Sequence, residues 1–456
     1  MEKVSIVLPC YNHSKYVETA IQSVLQQTYK NFELFVFDNG STDNSWDIIQ
    51  KIYDPRMIKI KLEKNDLLEV KKKFVNMASG KYFAIMHSDD IWLNEKLEKQ
   101  VSFFKKHENA FVCFTWSEIV DEQLNVIKER KGFFYVCNQS KQEWWNTFLG
   151  RGNCLSLPSF MCKKNIYVQY FNKLYPYRQI ADFYCWMKIL QKTDIYILEE
   201  VLMLQRVHDR DENKNESALT AENYARSDLE FSYAIYKIID EMDNCLFLEN
   251  LCGQKMEKQN LKHIDIMCKK FLFFIKRGKN FADEFHNAIR YYNTYFDYEE
   301  DGCVFYQYLE EKYNFSRNDF FTYEVNERNS IKKLQSRIVR WRELENADYS
   351  IIKYPDSISI YGCGDIGKAF AKRIRKYCRI EQFIDSFPRI DEYEDIPVMS
   401  LNKAKLDSKS IIVIVPTYDF EEITENIKRV YCFINDNQMI SIEKFINLKK
   451  DERERN

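Results

Sequence analysis

The chain of 456 residues carries 67 Lys and Arg against 69 Asp and Glu, and a net charge of −2 gives no electrostatic reason to expect a nucleic-acid partner. With 45% hydrophobic and 30% charged residues the composition is core-forming rather than disordered, and at about 100–200 residues per domain the length suits two to four domains. The 13 Cys are odd in number with no C-x-x-C spacing, and no stretch of 18 apolar residues occurs, so the chain reads as reduced and cytoplasmic, without a membrane span.

The opening apolar run, Val4–Leu8, breaks at Pro9 and is too short for a signal peptide. It reads instead as a buried strand. Ser14 suits the cap of a helix with Val17, Ala20, Ile21, Val24 and Leu25 on one face. Glu33–Phe37 is the next strand, closed by the turn Asp38-Asn39-Gly40-Ser41, and Asn44 or Ser45 suits the cap of a helix through Ile52. Ile58–Leu62 is a third strand and Lys71–Ala78 a helix that stops at Gly80. Tyr82–Met86 is a fourth strand running into His87-Ser88-Asp89-Asp90. Asn94 suits the cap of a helix over Glu95–Lys106, and Ala110–Thr115 is again a strand. This alternation predicts a mostly parallel sheet with helices on both faces. Ligands of such sheets bind beyond the carboxyl ends of the strands, which places the turns at 9–12, 38–43 and 87–90 around one cleft.

A hairpin-like stretch follows, then helices over Gln142–Phe148 and Asp182–Leu190, and a strand pair at Ile195–Leu198 and Val201–Val207. The polar run His208–Ser217 reads as a mobile loop. Residues 218–345 carry apolar residues at helical spacing and no chemical motif. From Ser357 the β/α alternation restarts, with Ile358–Tyr361, Gln382–Ile384 and Ile411–Val415 as strands, and the tail 449–456 reads as frayed.

Three acidic groups follow strand ends or open a helix: Asp38, the pair Asp89-Asp90, and Asp182. Each alone suits a turn or a cap. Together, carboxylates at neighbouring strand tips suit a hard divalent cation, Mg²⁺ or Mn²⁺, which completes its shell with water and substrate phosphates.

The run VSIVLPCYNHSKYVETAIQSVLQQTYKNFELFVFDNGSTD, Val4–Asp43, and the segment ASGKYFAIMHSDDIW, Ala78–Trp92, resemble the family 2 glycosyltransferases with the GT-A fold. The resemblance covers about residues 3–215. It implies inverting transfer of a sugar from a nucleotide-sugar donor, usually a UDP-sugar, with a divalent metal, Mn²⁺ or Mg²⁺. It places Pro9, Tyr11 and Asn12 at the nucleobase and Asp38-Asn39 at the acidic pair, with Asn39 in a position usually held by Asp. It gives Lys71 a donor contact and Ser88-Asp89-Asp90 the metal motif, with Asp89 as ligand. Arg206-Val207-His208 resembles the family's R-x-H, so His208 reaches back to the metal or diphosphate. Asp182 matches the base-bearing segment, with Ala181 where a Glu is usual. Single-displacement transfer requires such a base, because the acceptor hydroxyl loses its proton as it attacks.

Further on, strand, G-x-G-x-x-G and helix follow one another at Ile358–Ala369. Gly362 permits the tight turn, Gly364 a close phosphate and Gly367 the packing of helix on strand, and Asp385 follows where an acid binds a ribose hydroxyl. This resembles small Rossmann-like domains of sugar-modifying enzymes that bind a nucleotide or nucleotide sugar. The expected organisation is α/β: a GT-A-type domain at 1–215, a helical middle at 216–347 and a Rossmann-like domain at 348–456. The expected partners are a nucleotide-sugar donor and a glycan or lipid-linked acceptor, compatible with peripheral association at the inner face of a membrane. A bifunctional enzyme with a second nucleotide-sugar step in its C-terminal domain, or a non-catalytic assembly factor, are the alternatives.

Overall fold

Apolar residues alternate between two covered faces along the first strands, so the runs are hydrophobic for most of their length. In β1 (Val4–Cys10), the side chains of Val4, Ile6, Leu8 and Cys10 join one core with Val17, Ala20, Ile21 and Val24 of the helix Val17–Leu25. From β2 (Phe32–Asn39), Leu34 and Val36 join that core, while Phe35 meets Phe74, which packs on Phe83 and Tyr167. The computed structural model of the chain describes residues 2–446 apart from 129–130, 174, 209–220, 255–261, 279–283, 297–298, 317, 320–341, 345–346, 348, 350–351, 353, 387, 389 and 417–419. The predicted loop beyond His208 and the predicted frayed tail lie outside the described residues.

By their internal contacts the residues form two compact units, Met1–Glu216 with Glu230–Lys270, and Ser217–Leu229 with Phe271–Asn456. The predicted middle region, 216–347, is thus divided between them, and all its described elements are helical.

The first unit holds an eight-stranded sheet completed by β3 (Met57–Leu62), β4 (Tyr82–Ile85), β5 (Ile91–Trp92), β6 (Val112–Val120), β7 (Met161–Lys163) and β8 (Tyr196–Arg206), in the order β3-β2-β1-β4-β7-β6-β8-β5. The half β3-β2-β1-β4 is parallel. β7 is antiparallel to both β4 and β6, and β8 runs parallel to β6. The sequence predicted a strand pair where β8 is continuous: its register against β6 shifts between Leu198 and Val201, and the exposed Glu199 and Glu200 at that irregularity suggested a turn. Three expected caps also differ. Ser14, Asn44 and Asn94 make no side-chain cap bond, and the backbone of Ser14 instead donates to Asp43 Oδ2 at 3.0 Å. Conversely, the helix predicted at Lys71–Ala78 starts earlier, as Leu67–Met77, because Asp66 accepts the Glu69 N–H at 3.0 Å.

The second unit holds a six-stranded sheet: β9 (Ser357–Tyr361), β10 (Arg379–Asp385), β11 (Glu392–Tyr393), β12 (Ile396–Ser400), β13 (Ile412–Ile414) and β14 (Met439–Ser441), ordered β11-β12-β10-β9-β13-β14. All neighbours are parallel except β11 and β12. Ile358, Ile360, Phe383 and Val413 face the helices Asp365–Ile374 and Ile442–Ile446, while Tyr361, Ile384, Ile412 and Ile414 face the helix Phe420–Val430. At the end of β9, Gly362 has φ +103°, and a Cβ on Gly367 would lie 2.0 Å from the Gly362 carbonyl oxygen. Gly367→Ala is therefore expected to destabilise this unit by about 1–3 kcal/mol through overpacking. Thermal unfolding followed by circular dichroism checks it, and an unchanged melting profile contradicts the close packing.

Candidate active site

The loop after β1 and the loop after β2 are laced together. Asn12, in the left-handed region at φ +55°, donates its N–H to Ser41 Oγ (3.0 Å) and accepts the Thr42 N–H on Oδ1 (2.8 Å). Gly40 has φ +78°, and a Cβ there would sit 2.5 Å from the Lys64 backbone. Beside these turns Asp38 is fully buried, and neither carboxylate oxygen has a hydrogen-bond partner among the described residues. A buried carboxylate without donors is costly, so this geometry suits a ligand that brings N–H or O–H groups. Asn39, expected to serve the same ligand, holds the neighbouring loop with both ends of its amide. Nδ2 donates to Asn65 Oδ1 (2.7 Å), and Oδ1 accepts the Asp66 N–H (2.8 Å). Pro9 is partly buried and Tyr11 is 43% exposed at the mouth of the loop.

The turn after β4 meets the end of β8. Arg206 ties the two together: its N–H donates to Asp90 Oδ1 (2.8 Å), its Nε to the Asp89 carbonyl (2.8 Å) and an NH group to the Glu122 carbonyl (2.6 Å). Two residues on, His208 Nε2 lies 2.9 Å from Asp89 Oδ2, its Nδ1 3.5 Å from Glu122 Oε1, and its ring 4.8 Å from the Tyr16 ring. Ser88 Oγ is 2.8 Å from His13 Nδ1. Burial alone would raise the Asp89 carboxyl, but the hydrogen bond to His208 and the imidazoles of His13 and His87 hold it at about 2. Burial and the Asp89 charge push Asp90 to about 6. The bond to Asp89 raises His208. Two groups in this turn have ligand atoms close enough to share a cation, His13 with Asp89 and His208, and His87 with Asp89 and Asp90. The donor set fits a divalent ion.

Asp182 opens the helix Ala181–Leu190. Its Oδ1 accepts the Phe183 N–H (2.7 Å) and its Oδ2 an Asn153 N–H (3.1 Å). Burial raises its carboxyl, against these two bonds and the charge of His87, so Asp182 lies within electrostatic reach of the β4 turn. The segment before it is held by Glu230, whose buried carboxylate accepts the N–H groups of Arg178 (2.9 Å), Gln179 (2.7 Å) and Ile180 (3.3 Å). Lys71 is half-buried and makes no hydrogen bond or ion pair to a described residue, and burial lowers its ammonium. Trp144, Trp145 and Trp186 are fully buried core.

The sequence did not single out His13, Glu122, Asn153 or Glu230. The only signal for His13 is its place directly after Asn12. The other three become neighbours of the site through long-range packing alone. In the second unit the glycine turn forms as expected, and no described residue lies within 4 Å of where a Gly364 Cβ would stand. Asp385, expected at a ribose, accepts the Cys363 N–H of that turn on Oδ2 (2.9 Å).

Residues 5–163 match the family model described as Glycosyl transferase family 2. An uncharacterized glycosyltransferase of Methanocaldococcus jannaschii is 32% identical over 214 residues, 46% of this chain and 72% of that protein. The UDP-Glc:alpha-D-GlcNAc-diphosphoundecaprenol beta-1,3-glucosyltransferase WfaP of Escherichia coli is 33% identical over 198 residues, 42% of this chain and 72% of that protein. Among solved structures, S. aureus TarS 1-349 in complex with UDP-GlcNAc is similar at 16% identity, over 72% of this chain and 92% of that one, with a TM-score of 0.43.

Proposed function

The chain belongs to glycosyltransferase family 2, and on that premise we propose that its first unit transfers a sugar, with inversion, from a nucleotide-sugar donor, a UDP-sugar, to a hydroxyl of a glycan or lipid-linked acceptor. The observation that carries this reading is Asp38, fully buried at a strand end with both oxygens unpartnered among the described residues. Its carboxylate receives donor N–H or hydroxyl groups, with Pro9, Tyr11 and Asn12 lining the same turn. Asn39 acts through the 65–66 loop it holds. Asp89 and His208 would hold a divalent ion, Mn²⁺ or Mg²⁺, whose charge would offset that of the departing diphosphate. Ser88 and Asp90 keep this turn in place, and Lys71 supplies a cation to the donor.

In the displacement the acceptor oxygen bonds the anomeric carbon as the bond to the diphosphate oxygen breaks, and the acceptor proton passes to the Asp182 carboxylate. The relative from Escherichia coli carries an undecaprenol diphosphate acceptor in its name, and an acceptor of that lipid-linked class suits this chain. Among the described residues no helix is long and apolar enough to cross a membrane, and peripheral contact with such an acceptor is part of this reading. Calorimetric titration of the full chain with UDP- and GDP-sugars, with Mn²⁺ or with EDTA, tests the reading. Saturable binding of one donor class, strengthened by the ion, is expected, and no binding of any nucleotide sugar sinks it.

We also read residues 348–456 as a Rossmann-like domain whose turn, Gly362–Gly367, takes a nucleotide phosphate at the start of the helix Asp365–Ile374. The open space over Gly364 supports this. The Asp385 bond to the turn favours the competing reading, a domain that serves only for assembly. Gly364→Val has room for its side chain and fills the phosphate position. In the full chain with the first site blocked by Asp38→Ala, it is expected to abolish saturable binding of NAD, a UDP-sugar or S-adenosylmethionine. No binding by the Gly364 parent leaves the assembly reading.

A further inference from the structure

Three ligand atoms, one each from His13, Asp89 and His208, lie within 4.8 Å of one another. They come from three segments far apart in the chain: the loop after β1, the turn after β4 and the residue pair beyond β8. The His13 imidazole is anchored through one ring nitrogen, whereas His208 Nδ1 makes no hydrogen bond to a described residue. His13 has Nδ1 at 2.8 Å from Ser88 Oγ, and its backbone N–H donates to Ser45 Oγ at 3.0 Å. His208 turns Nδ1 toward the Glu122 carboxylate (3.5 Å) and Nε2 toward Asp89 Oδ2 (2.9 Å), with its ring against Tyr16. A polar partner on the far nitrogen is how metal-ligating histidines are fixed in tautomer and plane. For His13 the nitrogen left for an ion is the one Ser88 does not engage.

Resting on the divalent-ion reading above, we propose that His13 is a third protein ligand of that ion. The set is then two imidazoles and one carboxylate, and it selects an imidazole-binding ion such as Mn²⁺ over Mg²⁺. The chemistry follows from ligand type. Magnesium keeps oxygen ligands and water in a rigid octahedron, whereas nitrogen ligands raise affinity along the first-row series from manganese onward. The competing group, His87 with Asp89 and Asp90, offers two carboxylates and would suit Mg²⁺. In that group one Asp90 oxygen accepts the Arg206 N–H at 2.8 Å, and the other is buried 3.5 Å from His87 Nδ1. The two-histidine set is preferred because it contains the pair already in contact, His208 Nε2 and Asp89 Oδ2 at 2.9 Å.

Pulsed electron paramagnetic resonance on the full chain loaded with Mn²⁺ alone counts coordinated imidazole nitrogens. Two are expected in the wild type and one in His13→Gln or His208→Gln. Calorimetry with the bare ions is expected to show Mn²⁺ bound at least about tenfold tighter than Mg²⁺, a preference that His13→Gln narrows, losing about tenfold in Mn²⁺ affinity. A wild-type count of one imidazole overturns the proposal without reference to any variant, so a misfolded substitution cannot rescue it. An unchanged signal in His13→Gln, or loss of a nitrogen in His87→Gln, also overturns it while Asp89→Asn still abolishes binding, which leaves the ion reading intact. No Mn²⁺ binding by the wild type removes both.

Discussion

Asp182→Asn is expected to lower turnover by about 10²–10⁴-fold, the usual worth of a positioned base, with nucleotide-sugar affinity near that of the wild type. The substitution keeps the shape and one acceptor oxygen. The Phe183 N–H at 2.7 Å can therefore still be satisfied, while the basicity is gone. Burial raises the Asp182 carboxyl, which makes it a better proton acceptor than a surface aspartate and sets the sign of the pH dependence. The base works ionised, so the rate falls as pH drops through its raised pKa, and the acid limb of the kcat profile is displaced upward from that of an ordinary aspartate. Asp182→Asn removes that limb along with the rate. Wild-type turnover in the variant places the base elsewhere. A variant that melts early shows instead that Asp182 serves the helix start, where its acid also suits the dipole.

Asp89→Ala is expected to remove the whole gain that Mn²⁺ or Mg²⁺ gives to nucleoside diphosphate binding, so that titrations with ion and with EDTA coincide. Asp89 is the residue common to both cation groups of the β4 turn, and neither group retains three ligands without it. Its carboxyl is held at about 2 by the balance of burial against three imidazoles, so it is ionised, as a ligand must be, throughout the physiological range. His208→Ala is expected to give a smaller loss, because one carboxylate and the substrate oxygens remain. Equal ion enhancement in wild type and Asp89→Ala would falsify the metal assignment altogether.

The sequence showed most of the framework because the strands of the first unit are covered on both faces. That burial makes Val4–Leu8 and Glu33–Phe37 read as largely apolar runs, broken only by Ser5 and Glu33, which hydrogen-bond to each other at 2.6 Å, and β1 and β2 form around them. Short strands left no such mark: β5 has two residues and β7 three. The charged pair Glu199-Glu200 hid the continuity of β8, since a strand irregularity tolerates exposed charge that a regular central strand excludes. The aspartates of the site were legible because strand ends of an α/β sheet are where ligands meet the chain. Their partners were not. His13 lies 75 positions from Ser88, and Glu230 lies 50 or more from the N–H groups it holds. No local period encodes either pairing. Asn39 was assigned to a ligand because it stands at the second position of the acidic pair that the resembling family usually carries. Only the folded chain brings Asn65 and Asp66 within reach of its amide.

The link from Asp90 to the backbone of Arg206 spans 116 positions, and that from Asp89 to His208 spans 119. During synthesis, β1 to β4 leave the ribosome long before these partners exist. At about 5–20 residues per second, residue 208 is added roughly 10–40 s after initiation. Until then the β4 turn lacks the strand that fixes it, and closing so long a loop has its entropy to overcome. A nascent or truncated chain ending before Arg206 lacks both the strand that braces the β4 turn and the His208 imidazole, so it is expected to hold an ion more weakly than the full chain. The group of His13, Asp89 and His208 is complete only once the chain extends past His208.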